Sequence, residues 1–134
     1  HSMGGHGALM LALRNPTLFR SVSAFAPIAA PMRCPWGEKA FSGYLGADRS
    51  QWAAYDASAL METRRTPFPQ GILIDQGLGD KFLATQLHPD VFEAACARAA
   101  QGLTLRRHAG YDHGYYFIAS FIEEHLRFHR SHLG

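Results

Sequence analysis

The chain has 134 residues, enough for one domain, and its 47% hydrophobic and 18% charged residues are ordinary for a globular protein. A formal net charge of +2 is too small to indicate binding to nucleic acid or to a membrane surface. No apolar run approaches the roughly 20 residues of a membrane-spanning helix, and no signal peptide is recognisable. We therefore expect neither nucleic acid nor membrane as a partner.

The cysteine content indicates the redox environment. Cys34 and Cys96 are too few for a disulfide framework, although a single bridge between them remains open on the sequence alone. Such usage is typical of a reducing compartment, so we expect a cytoplasmic protein in which both cysteines are small core residues.

Apolar patterning and turn residues predict alternating helices and strands. In chain order these are a helix over 3–14, a strand over 21–26, short helices over 38–45 and 51–61, a strand over 71–75, a helix over 89–101, a strand over 103–107 and an amphipathic helix over 115–130. This order predicts an α/β fold, with parallel strands covered by helices on both faces. Three such strands leave an unpaired edge, so 1–134 is expected to be part of a domain whose N-terminal strands lie outside this sequence.

The first five residues, HSMGG, fit most of a nucleophile elbow. The motif G-x-S-x-G places a serine at a sharp turn between a strand and a helix, and its first glycine would fall one position before residue 1. A serine that only caps the following helix is the alternative interpretation of Ser2. If Ser2 is the nucleophile, the backbone N–H of Met3 is the expected oxyanion donor.

A serine nucleophile needs a base, and His113 is the candidate because it lies between the last predicted strand and the last helix. The chain order serine, acid, histidine is that of α/β-hydrolases, and Asp80 follows the strand over 71–75 where the acid is expected. Asp75, inside that strand, is the next candidate, whereas the side chain of Asp112 is expected to diverge from its neighbour His113. The sequence thus predicts the C-terminal half of an α/β-hydrolase with the triad Ser2, Asp80 and His113.

Four stretches together resemble the S-formylglutathione hydrolase family, also called esterase D: HSMGGHGA (1–8), CPWGEKAFSGYLG (34–46), IDQGLGDKFL (74–83) and GYDHGYYFIASFI (110–122). The similarity extends over essentially the whole chain, and the second and fourth stretches are far more specific than a serine motif. One departure is Gly114, where the family pattern is expected to have serine. The resemblance implies a cytosolic, dimeric thioesterase that hydrolyses S-formylglutathione to glutathione and formate with Ser2, Asp80 and His113.

Substrate contacts follow from the chemistry that this resemblance implies. A formyl group requires a small pocket, and Trp36 or Phe41 is a candidate to close it, with plain core packing as the alternative. Lys39 or Arg33 is a candidate to meet a glutathione carboxylate, with a solvated surface charge as the alternative. No cofactor is expected.

His125, His129 and His132 follow one another at helical spacing near the C-terminus. No carboxylate or cysteine is spaced to complete a structural zinc site with them, so we predict a solvated helix face and no metal.

Two other functions are compatible with the same residues. One is a general carboxylesterase or acyl-transferring esterase of the same fold, which would differ only in its acyl pocket. The other is an inactive fragment that acts only by association through an exposed sheet edge.

Overall fold

The computed structural model describes residues 1–134 as five α-helices around a three-stranded sheet. The helices are α1 (Ser2–Arg14), α2 (Pro35–Leu45), α3 (Ala57–Glu62), α4 (Pro89–Arg98) and α5 (Tyr115–His132). The strands are β1 (Val22–Phe25), β2 (Ile72–Gly77) and β3 (Leu103–His108). None of the helices is both long enough and apolar enough to cross a membrane.

The sheet has the order β1-β2-β3, and all of its pairs are parallel. Phe25 lies beside Asp75, and Asp75 lies beside Arg106, so the carboxyl ends of the three strands meet at one edge. The predicted α/β class with a parallel sheet is confirmed. Ligand sites of open parallel sheets lie outside these carboxyl ends, which is where the loops after β2 and β3 emerge.

The two faces of the sheet are covered differently. Val22, Ala24, Ile72 and Ile74 belong to an apolar cluster that includes side chains of α1, α3 and α4. Alternate positions point to the other face, because successive strand side chains alternate. That face is mainly polar, and α5 forms hydrogen bonds to three of its strand residues: Ser23, Asp75 and Arg106. Phe25 also lies on this face and packs against Phe117 and His125 of α5.

Helices α2 and α3 begin at other residues than predicted because of local capping, and α4 ends at Arg98, three residues earlier than predicted. Helix α2 begins at Pro35, three residues earlier than predicted, with the Cys34 sulfur accepting a hydrogen bond from the Gly37 N–H at 3.4 Å. Helix α3 covers only part of the predicted 51–61 helix. It begins after Asp56, whose carboxylate accepts from the N–H groups of Ala59 and Met32, both at 2.9 Å. The bond from Ala59 is a local N-cap, whereas the bond from Met32, which is distant in sequence, was not predictable from local pattern.

The prediction that the histidine face of α5 is solvated is wrong for two of its three members. His125 is buried, with Nδ1 2.8 Å from the Ser23 Oγ and Nε2 2.7 Å from a carboxylate oxygen of Asp75. His129 bonds the hydroxyls of Ser21 and Ser23 at 2.7 and 2.8 Å. The helix turns these rings toward the polar face of the sheet instead of toward water.

Both cysteines are buried and unbridged, as expected of small core residues. Burial raises the pKa of the Cys34 thiol, and it raises the pKa of Cys96 to about 12. Neither thiol is therefore ionised at neutral pH, where a thiolate would be needed for reactivity.

Candidate active site

Ser2 occupies a strained position at the start of α1. Its φ angle is 55°, in the left-handed region that residues with a side chain rarely adopt. Outliers of this kind cluster at functional sites, and a strained serine between an extended segment and a helix is the form of a nucleophile elbow. The Ser2 carbonyl accepts a hydrogen bond from the Ile28 N–H at 3.1 Å, which ties the turn to the segment after β1.

A close approach of α1 to the end of β1 fixes where Ser2 lies. A Cβ atom added to Gly5 would lie 3.1 Å from the Pro27 Cβ and 3.3 Å from the Phe25 carbonyl oxygen. Glycine therefore permits the first turn of α1 to pack against the carboxyl end of β1. Ser2 is held at the same edge of the sheet as the loops that follow β2 and β3.

The carboxylate of Asp80 is buried just after β2 and has three hydrogen-bond donors. Its Oδ1 accepts from the Phe82 N–H at 2.9 Å. Its Oδ2 accepts from the Gln76 Nε2 at 3.2 Å and lies 2.6 Å from the His113 Nδ1. An ionised carboxylate can only accept, so the proton of the last bond is on Nδ1, which leaves Nε2 of His113 free to accept.

Two glycines bring the Asp80 loop into backbone contact with the His113 loop. The Gly79 N–H donates to the Tyr111 carbonyl at 2.9 Å. A Cβ at Gly77 would collide with that same carbonyl and would lie 2.9 Å from the Asp112 carbonyl oxygen. Only residues without a side chain permit this approach, which sets the separation of acid and histidine.

The His113 ring lies on a depression of about 500 Å³ lined also by Gly79, Lys81, Phe82, Asp112 and Gly114. The Phe82 ring meets it edge-on, with centroids 5.3 Å apart. The ring of His1, the residue before Ser2, lies 4.4 Å from it on centroids. His113 is thus reachable from solvent while its ring plane is confined by two aromatic neighbours.

Ser2 follows His1, whose ring contacts that of His113. No hydrogen bond joins the Ser2 hydroxyl to the His113 ring. The N–H of Met3 lies in the first turn of α1, where helical N–H groups have no intrahelical acceptor. This N–H is available to a developing oxyanion beside Ser2.

The other predicted contact residues lie at varied distances from this centre. Trp36 packs on Phe82, with centroids 4.5 Å apart, so it reaches His113 through one intervening ring. Phe41 is buried against His6 and Trp52. Lys39 lines a separate exposed depression on α2. Arg33 lines a third one beside Asp56, apart from His113.

Asp75, the second candidate acid, has a different set of partners. Its carboxylate is buried and binds Arg106 through two hydrogen bonds of 2.7 and 2.6 Å. His108 and His125 bond it at 2.8 and 2.7 Å. Burial alone would raise the pKa of the Asp75 carboxyl, but the bonds from His125, Arg106 and His108 outweigh burial and hold this pKa well below its usual range. Asp75 joins β2, β3 and α5.

Sequence reasoning missed Gln76 and Phe82 as neighbours of the acid. Gln76 is a polar residue at the end of an apolar buried strand, and that mismatch was a usable signal. The Phe82 backbone N–H donates to Asp80, and the Phe82 ring contacts the His113 ring. No sequence pattern predicts these two contacts.

A parallel sheet with a serine turn, an acid loop and a histidine loop at its carboxyl edge defines an α/β-hydrolase-like protein. Its sequence matches the profile of the Esterase family over residues 1–128. The chain belongs to this family of hydrolases.

The chain is similar to several known proteins. It is 57% identical to an S-formylglutathione hydrolase of Rattus norvegicus over 99% of this chain and 47% of that protein. Among solved structures, an S-formylglutathione hydrolase from Agrobacterium tumefaciens matches with a TM-score of 0.93 and 52% identity, over 100% of this chain and 48% of that one. Esterase B from Lactobacillus rhamnosis shares the fold alone, with a TM-score of 0.71 and 16% identity over 95% and 49% of the two chains.

These comparisons confirm the resemblance to S-formylglutathione hydrolases over the full length of the chain. The chain spans about half the length of the relatives named above with that activity.

Proposed function

We propose that this chain carries the nucleophile, acid and base of a serine thioesterase that hydrolyses S-formylglutathione. The observation that supports it most is the 2.6 Å bond from His113 Nδ1 to the buried Asp80, which leaves Nε2 without a hydrogen-bond partner. The ring also lies 4.4 Å on centroids from that of His1, the residue before the strained Ser2. The similarity to S-formylglutathione hydrolases from two organisms supports the substrate.

In the first step, Ser2 Oγ attacks the formyl carbon while Nε2 of His113 takes its proton. Asp80 holds the proton on Nδ1 and stabilises the imidazolium that forms. The Met3 N–H donates to the oxyanion. When the C–S bond breaks, the glutathione sulfur leaves with the proton from Nε2, and formyl-Ser2 remains.

In the second step, water attacks the formyl carbon of formyl-Ser2 while Nε2 of His113 again accepts a proton. The bond between the carbon and Ser2 Oγ then breaks, and the proton returns from Nε2 to that oxygen. Formic acid is released, loses its proton to solvent to give formate, and the serine is regenerated. One ring therefore serves as base and acid in each half of the cycle.

The proposal includes the wider role that the resemblance implies, which is the last part of glutathione-dependent formaldehyde removal by a cytoplasmic homodimer. It also treats residues 1–134 as part of an α/β-hydrolase domain. The free edge of β1 and the greater length of the relatives support this assignment. Light scattering checks the dimer, and a monodisperse monomer would contradict it.

Mass spectrometry before and after treatment with a fluorophosphonate tests the nucleophile. We expect one covalent adduct per chain, lost in Ser2→Ala and strongly reduced in His113→Ala. Ser50→Ala is the matched control, because Ser50 lies on the surface and bonds only Asp48. Labelling that persists in Ser2→Ala would exclude Ser2 as the nucleophile.

A series of acyl-glutathiones tests the substrate separately. We expect kcat/KM to be highest for formyl and to fall for acetyl and longer acyl groups. A preference for longer chains, with Ser2 labelling intact, would indicate a general esterase of the same fold.

A further inference from the structure

Gln76 is a buried polar side chain that the two-step mechanism does not use. It is 1% exposed and stands near the end of β2, where Asp75 separates it from the apolar residues Ile72, Leu73 and Ile74. A polar side chain in such a place costs free energy unless its polar atoms are hydrogen-bonded.

The amide of Gln76 has one possible orientation. Its Nε2 donates to the Gly77 carbonyl at 3.0 Å and to the Asp80 Oδ2 at 3.2 Å. A flipped amide would point Oε1 at these two acceptors, so the acceptors fix the nitrogen on their side.

This orientation leaves Oε1 buried without a hydrogen-bond partner. Glutamine is therefore a poor choice for stability alone at this position, where an apolar side chain of similar size would bury no orphaned oxygen. Residues that break such a local rule are expected at functional sites. The gain that offsets the orphaned oxygen is the donor supplied to Asp80.

We propose that Gln76 is a positioning residue that holds the Asp80 carboxylate in the plane in which Oδ2 meets Nδ1 of His113. The proposal rests on the function proposed above. The Phe82 N–H fixes Oδ1, and the Gln76 amide fixes Oδ2, so donors on both oxygens prevent the carboxylate from rotating. Without Gln76, only the His113 bond itself holds Oδ2, and the ring loses part of its fixed orientation.

Kinetics on Gln76→Met give the first test, because methionine keeps the shape and removes the donor. We expect roughly a tenfold fall in kcat for S-formylglutathione, the size of one lost hydrogen bond to a charged group, with little change in KM. Gln76→Leu is the second variant, used if the methionine variant does not fold.

Gln101→Met is the matched control. Gln101 is also buried, and its amide bonds the Phe68 N–H at 2.6 Å and the carbonyls of Phe68 and Gly102 at 3.0 Å each, at the end of the sheet opposite to His113. We expect this variant to lose stability and to keep kcat once folded. An equal loss of kcat in both variants would overturn the positioning role.

Nitrogen-15 NMR of the His113 ring in a Ser2→Ala background gives a readout that needs no activity. We expect the neutral ring to carry its proton on Nδ1, and Gln76→Met to shift part of the population to Nε2, while Gln101→Met leaves the ratio unchanged. An unchanged ratio in folded Gln76→Met would overturn the proposal. If the ratio shifts but the chain with Ser2 intact has no esterase activity, the positioning of the ring is upheld and the proposed function is rejected.

Discussion

Asp75 and Asp80 lie on the same strand and the loop that follows it, and each bonds a histidine ring within 2.8 Å. Asp75 is saturated by Arg106, His108 and His125 beneath α5. Asp80 bonds a single histidine, whose ring borders an open depression. A histidine–carboxylate pair is therefore not by itself a sign of catalysis.

The ring nitrogens of His125 and His113 differ in the same way as the two carboxylates. Both nitrogens of His125 are used, one by Ser23 and one by Asp75, so that ring has no capacity to accept a proton from a substrate. His113 uses only Nδ1. A free Nε2 on a ring that borders an open depression distinguishes a candidate base from a structural histidine.

The largest expected effect is that of Asp80→Asn on catalysis. The amide would offer a donor to Nδ1 and favour the wrong tautomer, so we expect kcat to fall about 10⁴-fold. Because Asp80 bonds few core residues, the free energy of unfolding should change far less than it does in Asp75→Asn. Steady-state kinetics and urea unfolding on the same preparation measure both. Activity within tenfold of wild type would contradict the assignment of the acid.

Asp75→Asn is expected to have the opposite profile. It leaves the half-buried Arg106 guanidinium and two histidine rings without the buried carboxylate that binds them, and breaking such a buried pair costs about 3–5 kcal/mol of folding free energy. The folded variant should retain kcat. A loss of kcat comparable to that of Asp80→Asn would remove the distinction between the two carboxylates.

The stability that Asp75 contributes should depend on pH in one direction. Hydrogen-bonded partners depress the pKa of Asp75 in the folded protein, so its contribution to stability is complete above the unfolded value of about 3.9 and is lost as the pH falls through the lower folded value. The difference in unfolding free energy between wild type and Asp75→Asn should therefore narrow below about pH 4.

Gly77→Ala tests the contact that joins the two loops of the site. The added Cβ collides with the Tyr111 carbonyl, so the loops of Asp80 and His113 must separate, and a shift near 1 Å costs roughly 100-fold in rate. Gly43→Ala is the control, since a Cβ on that exposed helical glycine meets nothing within 4 Å and should stabilise by up to about 1 kcal/mol. Unchanged kcat in Gly77→Ala would show that the site tolerates the separation.

His6 supplies the third arrangement, a buried histidine with no carboxylate. Its Nε2 accepts from the Ala57 N–H at 3.2 Å, and burial lowers its pKa to about 4. The unfolded chain takes up this proton near pH 6.5, so stability is lost as the pH falls from about 6.5 to 4, by on the order of 2–3 kcal/mol. Urea unfolding across this range should show a shallower pH dependence in His6→Gln. Identical pH dependence of the unfolding free energy in wild type and His6→Gln would mean that folding does not lower the pKa of His6.

The sequence predicted the features that depend on local pattern. The apolar run of β2 and the glycines after it predicted the loop that carries Asp80. Pro89 predicted the start of α4. What escaped prediction depends on contacts between distant residues. Asp56 caps α3 while binding Met32, and His125 meets Asp75 only because α5 lies across the sheet. A helix face of histidines has the same pattern whether it faces water or buried carboxylates and hydroxyls.

The smallest expected effects compare two adjacent glutamates on α5. Glu123 forms an exposed pair with Arg127, and Glu123→Gln should change the unfolding free energy by less than about 0.5 kcal/mol. Glu124 pairs with Arg106, which also binds Asp75, and a charge that extends a network should contribute more, about 1 kcal/mol.

A double-mutant cycle tells whether Glu124 belongs to the Asp75 cluster. If it does, Glu124 and Asp75 both hold Arg106, so the cost of Glu124→Gln measured by urea unfolding should change once Asp75 is Asn. Glu123→Gln, whose partner is remote from Arg106, should cost the same in both backgrounds. Additive costs for both glutamates would confine the cluster to the sheet and His125, and α5 would then be held to this face by its histidines and by the packing of Phe117 on Phe25.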